Sequence, residues 1–157
     1  MSDFKQILDN IIRSLDYTEI NLEIGWQIEL IIKLREKLEN RYKVIPEKFE
    51  PTDTKKELDI AITENGKSKY AIELKMPQHN AFKKRWENAK TDISFLKSLL
   101  LKEYEFGYLI FLTPNECFWK EKEICSYPIE WKKIGMNGEL KYFIIELIKN
   151  PIHQVIP

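Results

Sequence analysis

Asp59, Glu73 and Lys75 are the residues of this chain whose types and spacing could do chemistry. Two carboxylates can hold a divalent cation that polarises a phosphate and lowers the pKa of an attacking water. A lysine beside them can stabilise the negative charge that builds up on phosphorus. The three residues interrupt two β-rich runs, Leu58-Asp59-Ile60-Ala61-Ile62 and Tyr70-Ala71-Ile72-Glu73-Leu74-Lys75. Charges in otherwise apolar strands are costly unless they are solvated, paired or metal-bound. The plain alternative is a surface hairpin with an exposed aspartate and a cross-strand Glu–Lys pair.

Which alternative holds depends on the register of the hairpin. Asn65-Gly66 is a strong signal for a two-residue turn. That turn would pair Asp59 with Ile72 and mix apolar with polar faces. The alternation argues otherwise: Leu58, Ile60 and Ile62 share one face, as do Tyr70, Ile72 and Leu74. A one-residue slip would turn a whole set of side chains to the wrong side. The pattern therefore predicts a three-residue loop, Asn65-Gly66-Lys67, that pairs Ile60 with Ile72 and sets Asp59 opposite Glu73. Directly paired Cβ atoms lie about 4.5–5.5 Å apart. Lys75 falls on the same face, with small Ala61 and Ala71 alongside.

The elements that must position these residues are legible in outline. Phe4, Ile7, Leu8, Ile11, Ile12 and Leu15 predict an amphipathic helix over 3–16, capped by Ser2 or Asp3. A second helix is expected over 21–41, with Ile24, Ile28, Ile31, Leu34, Arg35 and Leu38 on one face. Tyr42 to Phe49 reads as a strand, Asp53-Thr54-Lys55-Lys56 as a polar connection, and 57–63 and 68–76 as strands. A long helix over 79–104 carries Phe82, Trp86, Ala89, Ile93, Leu96, Leu99 and Leu100. Phe106 to Leu112 reads as a buried strand and Tyr142 to Ile148 as the last one. Residues 114–138 give little pattern beyond a Gly135–Gly138 turn. The expected fold is α/β, a mixed central sheet flanked by helices in the order α-α-β-β-β-α-β-β.

Length and composition fit one domain. The 157 residues suffice for a real core, and 43% are hydrophobic. With 25 basic and 25 acidic residues, a general basic coat for nucleic acid is excluded, and any such binding must use local patches. Cys117 and Cys125 lie eight positions apart, and His79 and His153 are the only histidines. That is no zinc pattern, so free thiols in a reducing compartment are expected. The N-terminal residues lack a signal-peptide core and no apolar run reaches membrane-spanning length, so a cytoplasmic protein is expected.

Asp59, Glu73 and Lys75, on consecutive strands after a helix, a strand and a polar loop, resemble the PD-(D/E)xK, or restriction endonuclease-like, nuclease superfamily. In that family a helix, a three-stranded meander, a helix and a strand hold the site. The resemblance covers roughly residues 20–113, with 114–157 as an elaboration of the same domain. Gly25-Trp26-Gln27-Ile28-Glu29 looks like the G-x-x-x-E helix of its archaeal Holliday-junction resolvase branch, with Glu29 the matching residue. Leu58 stands where many members have proline. Gln78 has no tyrosine four positions on, which argues against the exonuclease-like branch.

The resemblance implies a metal-dependent endonuclease acting on DNA, of defence, repair or mobile-element type. Asp59, Glu73 and the Leu74 backbone carbonyl would hold Mg²⁺, with Mn²⁺ as a substitute. Glu29 would hold a metal-bound water or a second ion; otherwise it is one more solvated helix carboxylate. Lys75 would orient the attacking water or stabilise the phosphorane. Lys83, Lys84 and Arg85, with Lys90 further along, are the candidate DNA contacts; their alternative is a solvated helix face. Trp119 and Trp131 could stack on bases, but packing is the better expectation. Cutting both strands of a duplex would call for a homodimer or a partner subunit that supplies specificity. The competing expectation is a non-catalytic module of the same fold that binds nucleic acid or a partner protein.

Overall fold

The computed structural model describes residues 2–17, 23–49, 56–78, 81–135 and 139–150. Most of the Asp53–Lys56 connection, His79, His153 and most of the Gly135–Gly138 turn lie outside them. The fold is α/β, a mixed six-stranded sheet with helices on both faces. Its strands are β1 (Tyr42–Phe49), β2 (Glu57–Glu64), β3 (Lys67–Lys75), β4 (Phe106–Thr113), β7 (Lys132–Ile134) and β8 (Leu140–Ile148), in the spatial order β1-β2-β3-β4-β8-β7. Only β3 and β4 run parallel. A parallel pair needs a crossover, and α3 (Phe82–Lys102) supplies it. No described helix is long and apolar enough to cross a membrane.

Two cores follow from the two faces of the sheet. On one face α1 (Asp3–Ser14) and α2 (Glu23–Lys37) pack Phe4, Leu8, Ile12, Trp26, Leu30 and Leu34 onto Ile60, Ile62, Ile72, Leu74 and Ile110. Ser2 caps α1 by accepting a hydrogen bond from the Lys5 N–H at 3.2 Å. The face predicted for α2 is rotated. Ile24, Ile28 and Ile32 are exposed, while Trp26, Gln27, Leu30, Ile31 and Leu34 turn inward. Apolar residues fall on more than one side of this helix, so spacing alone does not choose its buried side.

On the other face α3 lays Trp86, Ala89, Ile93, Leu96 and Leu99 over Ala61, Ala71, Leu109 and Phe111. Gly107 permits this close approach, because a Cβ there would sit 3.4 Å from Leu96 Cβ. The stretch 114–138 completes this layer with a 3₁₀ turn at Glu116–Phe118, a small hairpin of β5 (Glu123–Ile124) and β6 (Tyr127–Pro128), and edge strand β7. Phe118 and Ile124 are buried there. Trp131 packs edge-on to Phe143, its indole N–H donating to the Glu121 carbonyl at 2.9 Å. Trp119 lies under the Lys141 ammonium at 4.3 Å. Cys117 and Cys125 are free thiols.

The hairpin corrects the expected three-residue loop. Asn65 and Gly66 both have positive φ, 50° and 80°, and Glu64 pairs with Lys67, as in a two-residue type I′ turn. Past Thr63–Ser68 the register shifts, so that Ile62 pairs with Tyr70 and Ile60 with Ile72. Lys69 is the extra residue of a β-bulge. It reconciles the turn that Asn-Gly prefers with the pairing the apolar faces require. Tyr70, the first residue beyond the bulge, stacks on Phe4 of α1 with ring centroids 3.8 Å apart. The Lys69 ammonium holds Glu105 at 2.8 Å and Glu64 at 3.3 Å.

The bulge is separable from these ion pairs. Deleting Lys69 should preserve a cooperative urea transition, because the Asn65-Gly66 turn then runs straight into the Ile62–Tyr70 and Ile60–Ile72 pairs and every side chain beyond it keeps its face. Lys69→Ala, which keeps the backbone, should cost at most about 1 kcal/mol. A deletion variant without a cooperative transition would contradict the bulge.

Candidate active site

The site forms where β2 and β3 part company. Their backbone pairing ends at Ile60–Ile72, and Asp59 and Glu73 are the next residues along. Across β2, the β1 pairing skips Glu47, an exposed residue in left-handed backbone with φ 47°. Such a conformation costs a non-glycine residue about 1–3 kcal/mol. Alternation breaks at this point: Leu58 is buried in the α3-side core, not with Ile60 and Ile62. Asp59 therefore does not sit in a regular ladder. Its carbonyl accepts a hydrogen bond from Gln27 Nε2 at 2.8 Å, and its Oδ2 accepts the Leu74 N–H at 2.7 Å. Leu74, expected to offer its carbonyl to a metal, is tied to Asp59 through its N–H.

The helical contribution comes from a different residue than expected. Glu23 and Gln27, one turn apart on α2, face the strands; Glu23 Oε2 accepts the Met76 N–H at 2.7 Å. Glu29 is exposed. It lies about 200° around the helix from Gln27 at 3.6 residues per turn. Gly25, the other end of the G-x-x-x-E pattern, has open space around it.

Glu73 and Lys75 project to the α3 side, opposite to Ile72 and Leu74. Glu73 is 1% exposed and Asp92, on α3, is 3% exposed. Lys75 Nζ lies 2.9 Å from Asp92 Oδ2. Lys56, just before β2, sends its ammonium to Asp92 Oδ1 and to Glu73 Oε2, the latter at 3.2 Å. Glu73 Oε1 is buried without a hydrogen-bond partner among the described residues. Three carboxylates and two ammonium groups thus share one largely buried space.

Burial dominates the charges here. It pushes the Asp59 carboxyl up to about 6, against the opposing pull of the Leu74 N–H and Lys75, and the charges of Glu23 and Asp92 add to the rise. Burial also raises Glu73 well above the ordinary glutamate range, helped by the charges of Asp59 and Asp92 and opposed by Lys56. Lys56 does not restore Glu73, because it is shared with Asp92. Desolvation alone would lower the Lys75 ammonium, but the charge and hydrogen bond of Asp92 outweigh it and the net shift is upward. Lys75 is therefore held as a cation and cannot serve as a base near neutral pH.

Asp92, Lys56, Glu23 and Gln27 were not singled out from the sequence. Asp92 had a signal: it occupies a core position in the stripe Trp86, Ala89, Ile93, Leu96, where an unpaired aspartate would be costly. Lys56 had none, being one of several lysines in a polar stretch. Lys83, Lys84 and Arg85 are exposed on the first turn of α3, and Lys90 pairs with Glu87 at 3.1 Å. The connection from β3 to α3 is anchored to the end of β4: Thr113 Oγ1 donates to the Pro77 carbonyl at 2.7 Å and Asn115 Nδ2 to the Gln78 carbonyl at 3.2 Å.

Among the described residues no three side chains of His, Cys, Asp or Glu converge as a ready-made metal cage. Mg²⁺ rarely needs one; it commonly takes one or two carboxylates, with water and phosphate oxygens completing its shell. Asp59 and Glu73, with the unpartnered Oε1, fit that smaller demand. Comparison with protein-family models, characterised proteins and solved structures gives no match for this chain.

The raised carboxyls have a measurable consequence in metal-free buffer. A group whose pKa is higher in the folded than in the unfolded protein binds its proton more tightly when folded, so stability rises as pH falls. For Asp59 the window runs from about 6 down to its ordinary value of 3.8. In EDTA, the urea midpoint of the wild type should rise between pH 7 and pH 5, and Asp59→Asn should flatten that rise. Identical pH profiles for the two proteins would contradict the assigned environment.

Proposed function

We propose that this chain is a Mg²⁺-dependent nuclease with a restriction endonuclease-like core, hydrolysing DNA phosphodiester bonds as an endonuclease of defence, repair or mobile-element type. The observation that carries the reading is Glu73: buried on a central strand, one oxygen unpartnered, with Asp59 and Lys75 beside it. The resemblance of these three positions to Asp and (D/E)xK on consecutive strands supports it. In this reading Asp59 and Glu73 hold the metal. The bound metal supplies Lewis acidity to the phosphate and to its attacking water.

The remaining steps belong to side chains. Lys75, fixed as a cation by Asp92, faces the charge that develops on the phosphate oxygens. Asp92 is a positioning residue, since it acts through Lys75 and Lys56. Glu23 and Gln27 lock α2 to the ends of β2 and β3 and so fix Asp59. Lys83, Lys84 and Arg85, exposed where the chain leaves β3, suit contact with the backbone of DNA. A duplex cut on both strands would be served by a homodimer or by a partner subunit that supplies specificity.

A second reading has its own observation. The cluster is partly compensated already, since Lys56 and Lys75 meet Glu73 and Asp92. A non-catalytic module of this fold, binding nucleic acid or a partner protein, would need no more. The assay that separates the two uses plasmid, single-stranded and branched DNA with Mg²⁺ or Mn²⁺. Cleavage is expected, lost in EDTA and reduced about 100-fold or more in Asp59→Ala, Glu73→Ala and Lys75→Ala. Wild-type binding without cleavage, unchanged by these substitutions, would favour the second reading.

A further inference from the structure

Lys56 stands where a metal ion's charge is needed. Its ammonium lies 3.2 Å from Glu73 Oε2, meets Asp92 Oδ1, and sits over the Phe95 ring at 4.7 Å. Its side chain is 30% exposed, whereas Glu73 and Asp92 are almost fully buried. Lys75 differs: it is bound to Asp92 Oδ2 and is less exposed, at 18%. Asp92 would therefore keep one lysine if the other left. Among the described residues Glu73 has no second ion pair, and its Oε1 has no hydrogen-bond partner.

We propose that Lys56 is a tethered counter-cation that competes with a divalent metal ion for Glu73. This rests on the reading of Asp59 and Glu73 as the metal-holding pair. An ammonium and a dication cannot both approach Glu73 closely in a space this dry without repelling each other. Metal entry therefore requires Lys56 to swing outward, and the metal's apparent affinity is lowered by the cost of that exchange. Lys56 keeps the buried carboxylate compensated when metal is scarce. It sets the metal concentration at which the site fills. No bond is made or broken; one cation replaces another.

The test measures Mn²⁺ binding directly, through loss of the paramagnetic resonance signal of free Mn²⁺, with protein alone. Lys56→Met, which keeps an unbranched stem against Phe95, should bind Mn²⁺ about tenfold more tightly than wild type. Lys56→Gln should move the same way, which guards against a folding defect in one variant; thermal unfolding in EDTA checks both. Lys56→Arg, which keeps the charge, should remain near wild type. Glu73→Gln should bind weakly with or without Lys56.

Equal or weaker Mn²⁺ binding in both neutral variants would overturn the proposal, as would no binding in any of the proteins. Parallel DNA-cleavage assays keep the two claims apart. Tighter Mn²⁺ binding in both neutral variants without cleavage by any of the proteins would uphold the exchange and remove the nuclease reading. Cleavage by wild type with unchanged metal affinity in the variants would do the reverse.

Discussion

A carboxylate buried on a central strand is the constraint around which this structure is arranged. Removing an ionised carboxylate from water costs several kcal/mol unless cations and hydrogen bonds replace the lost solvation. Glu73 is 1% exposed. Its environment answers that cost only in part. Lys56 reaches one oxygen; Asp92, brought in by α3, holds Lys56 and Lys75 in place; the second oxygen has no partner. Incomplete compensation leaves Glu73 with a raised pKa and an appetite for positive charge. Incompletely compensated buried carboxylates of this kind cluster at functional sites, which is what makes Glu73 the anchor of the proposed reading.

The geometry that makes the constraint useful is set within the same hairpin, at its turn and bulge. Asn65-Gly66 prefers a turn whose simple continuation would point Glu73 and Asp59 to different sides. The extra residue Lys69 shifts the register once, and from Tyr70 onward the apolar residues of β2 and β3 share a face. At the far end, β1 distorts at Glu47 and the β2–β3 ladder stops, so Asp59 is held by side-chain and helix contacts instead. One irregularity aligns the strands and the other opens them.

The sequence carried the parity of the strand register, because Ile60, Ile62, Ile72 and Leu74 share a buried face only when paired positions sum to an even number, and the shortest such loop gives Ile60 with Ile72. It did not reveal the bulge, since a three-residue loop satisfies the same alternation. It identified α3 by its stripe but passed over Asp92 within that stripe, because a periodicity count rewards apolar residues and ignores the polar one between them. It placed the α2 face only in part: Ile31 and Leu34 are buried as expected, but Ile24 and Ile28 are exposed, and Trp26 and Leu30, which fit a helical period equally well, take their place. Only the packing of Trp26 against the sheet decides between them. Glu29 entered through the G-x-x-x-E resemblance, whereas the helical face that meets β2 and β3 carries Glu23 and Gln27. The three short strands within 114–138 escaped because two- and three-residue elements have no period to read.

The central claim is that Asp59 and Glu73 together hold one divalent ion. A crystal equilibrated with MnCl₂ and measured for anomalous scattering tests it most directly. The account predicts a single strong peak between the Asp59 and Glu73 carboxylates, with Lys56 withdrawn from Glu73. A peak elsewhere, or none at this position while Lys56 still contacts Glu73, would contradict it.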